Sequence, residues 1–262
     1  MTTAESFGAY LSAPFAESLE KDYQAAAAAV VAAELGDCAL QQVLEAIAPL
    51  RHHMAFAKKA GLFLAAAQQR LGRDAVLDLS VLGEEARLDC AGAFGQRHDL
   101  TVKGDLGSHA GAHLASGTLT VEGDVEDYCG AAMAGGKIVV KGLAENHLGH
   151  SMRGGEILVH RNAHDFIGNR MTGGHIVVQA NAGYSAGYKM TGGLIEIKDL
   201  AWDLCGEEMV GGRIEIGGHI GRDLGMGMAG GELALIEAHK DTPRVKATGG
   251  KVAVLAKGKK RG

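Results

Sequence analysis

The sequence predicts a mainly β protein: a right-handed single-stranded parallel β-helix of 19-residue coils with a small N-terminal α-helical region. Three observations carry this expectation. Gly-Gly pairs recur every 19 residues, at Gly135-Gly136, Gly154-Gly155, Gly173-Gly174, Gly192-Gly193, Gly211-Gly212, Gly230-Gly231 and Gly249-Gly250. Two residues before all but the last pair stands a methionine: Met133, Met152, Met171, Met190, Met209 or Met228. After each pair two aliphatic positions alternate, from Ile138 and Val140 to Leu233 and Leu235 and then Val252 and Val254. Alternation of two is strand periodicity, and a strict short period means one unit stacked on copies of itself.

Residues 1–75 differ in character. Asp22 to Leu35 is Ala-rich and stops at Gly36, Leu40 to Ile47 has helical spacing and stops at Pro49, and His53 to Leu71 stops at Gly72. Gly just past a periodic run is a helix stop signal. These segments predict a helical region of two to four helices, which either caps the first coil, since open solenoid ends need protection, or binds a partner. The alternation at Leu77, Leu79 and Val81 predicts the first strand, so the β-helix is expected over 76–255, followed by a basic tail at 256–262.

Within the β-helix each coil is expected to hold about three short extended pieces separated by glycine corners. A third glycine recurs at Gly111, Gly130, Gly149, Gly168, Gly187, Gly206 and Gly225. A small or aliphatic residue recurs at Val125, Ala144, Ala163, Ala182, Ala201 and Ile220. Glycine supplies positive φ and close backbone approach at corners. One methionine per coil in one phase predicts an interior ladder rather than a thioether copper site, because flexible Met packs well in a narrow core. Cys129 and Cys205 share a phase four coils apart, so about 19 Å should separate them, too far for a disulfide.

Composition narrows the function. The chain has 262 residues, 40 of them glycine, and a net charge of −5, with no nucleic-acid signature. No apolar run is long enough to cross a membrane and no signal peptide opens the sequence, so a cytoplasmic protein is expected. No cofactor, metal or catalytic set is expected. His147, His150, His160 and His164 have tempting spacings, but stacking decides neighbours in a solenoid. His147 falls between Tyr128 and Phe166, His150 between Ala131 and Asn169, and His164 between Glu145 and Gly183, which favours corner histidines. Asp165, Asp199, Asp203 and Asp223 are expected to scatter across phases, which argues against a glycan-cleaving groove.

One outward column is apolar where polar residues are expected: Val139, Leu158 and Val177. Fully exposed, three stacked aliphatic side chains present roughly 200–300 Å², worth about 5–8 kcal/mol on burial. This stripe is the candidate interface. Its expected cover is either the N-terminal helices or another subunit.

The pattern Gly-x-x-Met-x-Gly-Gly-x-Ile-x-Val-x-Gly at Gly130 to Gly142, with the segment Gly123-Asp-Val-Glu-Asp-Tyr-Cys-Gly130, resembles the GXGXG β-helix superfamily. Its members are the β-helical subunits of formylmethanofuran dehydrogenases and of formyltransferase/hydrolase complexes, and the C-terminal domain of the glutamate synthase large subunit. The resemblance covers about residues 100–255. It implies a structural subunit that positions catalytic partner subunits, in a one-carbon complex or, alternatively, in a glutamate-synthase-like amidotransferase system. Partners are then other protein subunits, with neither nucleic acid nor membrane, and self-association is allowed.

Overall fold

A computed structural model describes residues 1–33, 35–83, 87–94, 97–236 and 245–254. Four helices come first: α1 Thr3–Ser12, α2 Leu19–Ala32, α3 Leu40–Ile47 and α4 Phe56–Leu71. Helix α1 was not expected from apolar spacing, although Thr2 and Glu5 form a capping box, in which each side chain bonds the other's backbone N–H. Helix α2 starts earlier than expected because the Ser18 side chain accepts from Lys21 N, and it ends at Ala33 rather than at Gly36. Helix α4 ends as expected at Gly72, whose φ of 64° is left-handed. It starts at Phe56 rather than His53, because the His53 ring accepts from Ala55 N in a turn.

Ten strands follow in one parallel sheet, in chain order: β1 Ala75–Asp78, β2 Leu100–Lys103, β3 Thr118–Val121, β4 Lys137–Val140, β5 Glu156–Val159, β6 His175–Val178, β7 Leu194–Ile197, β8 Arg213–Ile216, β9 Glu232–Leu235 and β10 Lys251–Val254. From β2 onward every register step is 19 residues, as in Ile138↔Ile157↔Ile176. The chain is a parallel β-solenoid. Strand β1 is shorter than the alternation suggests: Asp78 accepts from Ser80 N and turns the chain into a 3-10 helix at Leu79–Leu82.

The coil has one strand, not three. Its second side is a column of single bridges running Leu106, Val125, Ala144, Ala163, Ala182, Ala201 and Ile220. Its third side is turn, where residues such as His109, Tyr128, His147 and Phe166 take φ near 60°. Strand-length alternation is absent there because left-handed residues break the pleat.

The core explains the motif. The six methionines of the ladder, Met133, Met152, Met171, Met190, Met209 and Met228, are fully buried. Each methyl runs beneath the second glycine of the next coil: a Cβ on Gly155 would lie 2.6 Å from Met133 Cε and 2.7 Å from the Gly135 carbonyl carbon. Similarly, a Cβ on Gly130 would lie 2.5 Å from Ile157 Cδ1. Methionine and isoleucine methyls therefore fill the notches that the glycines leave. The inward strand residues are buried through Leu235, whereas Val252 is only partly buried and Val254 is 58 % exposed in the last described coil. The tail at 256–262 lies outside the described residues.

The helices close the first coil. Gln41 of α3 pairs with both backbone groups of Asp78, its Oε1 accepting at 2.8 Å and its Nε2 donating at 3.3 Å. Asp89 N donates to Ala57 O at 3.2 Å, Gln68 Nε2 donates to Asp99 O, and Tyr23 stacks on Phe94 at 4.6 Å. Buried Lys59 donates to the carbonyls of Tyr10, Leu11 and Ala13, tying the end of α1 to α4.

Candidate functional site

The polar side chains of the coils are first of all rungs. In a solenoid a backbone N–H at a corner has no strand partner, so an Asx side chain one coil earlier serves instead. Asp105 accepts from Asp124 N, and Asp124 from Leu143 N. In a second column Asp127 accepts from Asn146 N, Asn146 from Asp165 N, Asp165 from Tyr184 N and Asp203 from Arg222 N. Asp165 and Asp203 thus share a phase, two coils apart, against the sequence expectation of scatter. Both hold backbone. Asp223 pairs with Lys246 at 2.8 Å.

The histidines stack as the phase argument requires. His147 lies between Tyr128 at 4.7 Å and Phe166 at 5.1 Å, and His150 meets Tyr128 edge-on at 5.7 Å. Burial holds His109, His113 and His150 below the ordinary histidine value. The Nδ1 atoms of His147 and His150 and Oδ1 of Asn169 are buried without a hydrogen-bond partner. Among the described residues no three His, Cys, Asp or Glu are arranged to hold a metal ion. Burial pushes the Cys90, Cys129 and Cys205 thiols up to about 12, far from reactive thiolates.

The candidate interface is less exposed than the sequence suggests. Val177 is buried, and Val139 and Leu158 are half-buried. Ion pairs flank the stripe: Lys137 with Glu156 at 3.0 Å, and Glu196 with His175 at 2.7 Å and with Lys198. Its gain on burial is therefore well below the 5–8 kcal/mol of a fully exposed stripe. The main packing of the helices on the sheet is α3 on β1, at the end of the solenoid and away from the stripe on β4–β6.

A groove of about 370 Å³ that was not expected from the sequence lies along the bridge column. Its floor includes the buried Ala163 and Ala182. Its walls carry Asn162, Asn181, His164, Asp165, Tyr184 and Trp202. Glu145 accepts from His164 at 2.6 Å. Tyr184 and Trp202 are 43 % and 49 % exposed, with ring centroids 5.5 Å apart. The sequence signal was present: Trp202 interrupts a phase otherwise held by charged, histidine and glycine residues.

No helix among the described residues is long and apolar enough to cross a membrane. The family model for the GXGXG motif matches residues 87–254. No curated protein matches the chain significantly.

Proposed function

The chain belongs to the GXGXG motif family, and from that membership we propose that it is a non-catalytic structural subunit of a cytoplasmic multi-subunit enzyme. One observation carries the reading: the Asp and Asn side chains at the coil corners are spent on holding coil to coil. Asp105, Asp124, Asp127, Asn146, Asp165 and Asp203 accept from backbone N–H groups of the next coil, and the core thiols are held protonated by burial. Such a rod presents a fixed lateral surface, which suits a part that positions catalytic neighbours. The complex is a one-carbon assembly of the formylmethanofuran dehydrogenase or formyltransferase/hydrolase kind. A glutamate-synthase-like amidotransferase assembly is the second reading, which the match to the GXGXG motif over residues 87–254 also fits.

In this reading the Val139-Leu158-Val177 stripe meets a partner subunit. The experiment is affinity purification from the native cell with mass spectrometry and activity assays. Formyltransferase and metal-dependent hydrolase partners support the first assembly, and glutaminase-type partners the second. Leu158→Glu should keep its melting temperature and lose the partners. A purified single chain with formyl-transfer, hydrolase or glutamate-forming activity, abolished by one point substitution, overturns the structural role.

A further inference from the structure

In a parallel solenoid, side chains of one phase sit on adjacent rungs about 4.8 Å apart. The phase that lines the groove reads Glu126, Glu145, His164, Gly183, Trp202 and Gly221. His164 and Trp202 both line the cavity, and the rung between them has no side chain. The backbone at Gly183 also lies close on the preceding coil, where an added Cβ would collide with Asp165 Oδ1 and come 2.7 Å from the His164 carbonyl carbon, so the Asp165 carboxylate closes the inner side of this rung. The groove is thus a missing rung between an imidazole and an indole.

We propose that this missing rung is a binding subsite for one ring of a neutral saccharide, seated between His164 and Trp202. Two coil rises leave about 9.6 Å between the flanking side chains. A flat heteroaromatic ring at two contacts of about 3.5–4.0 Å needs only about 7–8 Å. A puckered pyranose, thickened by its axial hydrogens, fills the larger gap and lays apolar C–H faces on the rings. The groups at the sides of the rung suit hydroxyls. Asn162 and Asn181 flank one edge and Asp165 and Tyr184 the other. Asp165 uses one oxygen for Tyr184 N at 2.8 Å, and a carboxylate has further lone pairs for sugar O–H donors. The described residues lining the groove include Asp165 and no lysine or arginine, which selects a neutral sugar over a phosphorylated or acidic one. Glu145 fixes the His164 ring at 2.6 Å. The exposure of Trp202 and Tyr184 is the apolar platform such a ligand covers.

Trp202 is the only tryptophan in the chain, so its emission reports on the subsite alone. The full chain is titrated with maltohexaose, cellohexaose, xylohexaose and chitohexaose, with adenosine as a flat-ring comparison. At least one oligosaccharide should shift the emission saturably, with half-saturation at or below the order of 1 mM. Tyr184→Ala should weaken that response about tenfold. Trp202→Ala, read by calorimetry, should lose the binding heat while keeping its melting temperature. The proposal is overturned if none of the four sugars shifts the emission. It is also overturned if adenosine alone does, or if the heat survives Trp202→Ala.

Discussion

The second glycine of each pair is fixed by two constraints at one atom. Gly155 has φ of 86° and its Cβ position is taken by the Met133 methyl and the Gly135 carbonyl. Gly155→Ala should cost about 3 kcal/mol or more, measured by chemical denaturation. Gly36→Ala, with φ of 55° but nothing within 4 Å, should cost only about 1–2 kcal/mol. Equal losses at the two sites would contradict the packing account. The half-buried histidines set a pH limit. Because burial lowers the folded values of His109, His113 and His150, all three are neutral at neutral pH. As pH falls through about 6.5, the unfolded chain protonates first and stability declines until the lower folded values are passed. The melting temperature should therefore fall between about pH 7.5 and about pH 5.5. His150→Phe should reduce the fall. A flat profile across that window would refute the assignment.

Elements are joined by a few specific bonds. Helix α4 carries a glycine in its interior, Gly61, which helix propensity alone disfavours. The structure supplies the reason: a Cβ there would lie 2.9 Å from the Asp89 carbonyl carbon, so the glycine lets α4 approach the first coil. Gly61→Ala should detach the cap despite its better propensity, seen as faster proteolysis of residues 1–71. Gln41→Ala leaves the N–H and C=O of Asp78 without their side-chain partner and should cost about 1–3 kcal/mol. If Gly61→Ala raised the melting temperature, propensity rather than close packing would govern the cap.

At the scale of the whole molecule the solenoid is asymmetric. Its first coil is closed by four helices, while β10 has exposed or half-buried residues throughout. Stability in a stack is nearest-neighbour in kind, so amides of β9 and β10 should exchange faster than those of β4 to β7 in hydrogen-exchange measurements. Uniform protection along the rod would argue against sequential fraying.

The sequence by itself determined the coil length, the interior column from Met133 to Met228, the glycine corners, and which histidines stack. All of these follow from phase, because a 19-residue step puts like on like. It also announced Gly72 as a helix end. Only the tertiary structure decided that one side of the coil is strand, one a single-bridge column and one left-handed turn. Periodicity records which residues face inward, not how the backbone between them is bonded. Helix α1 was legible in its capping box but weak in apolar period, and its place depends on Lys59, far along the chain. The half-burial of Val139 and Leu158 is set by how the strands and the Lys137–Glu156 pair beside them stack in space, which residue type does not reveal. The groove was least legible. It arises from a side chain that is absent at Gly183 between two rings on separate coils, and a glycine in a glycine-rich repeat gives no sign of which gap it leaves open.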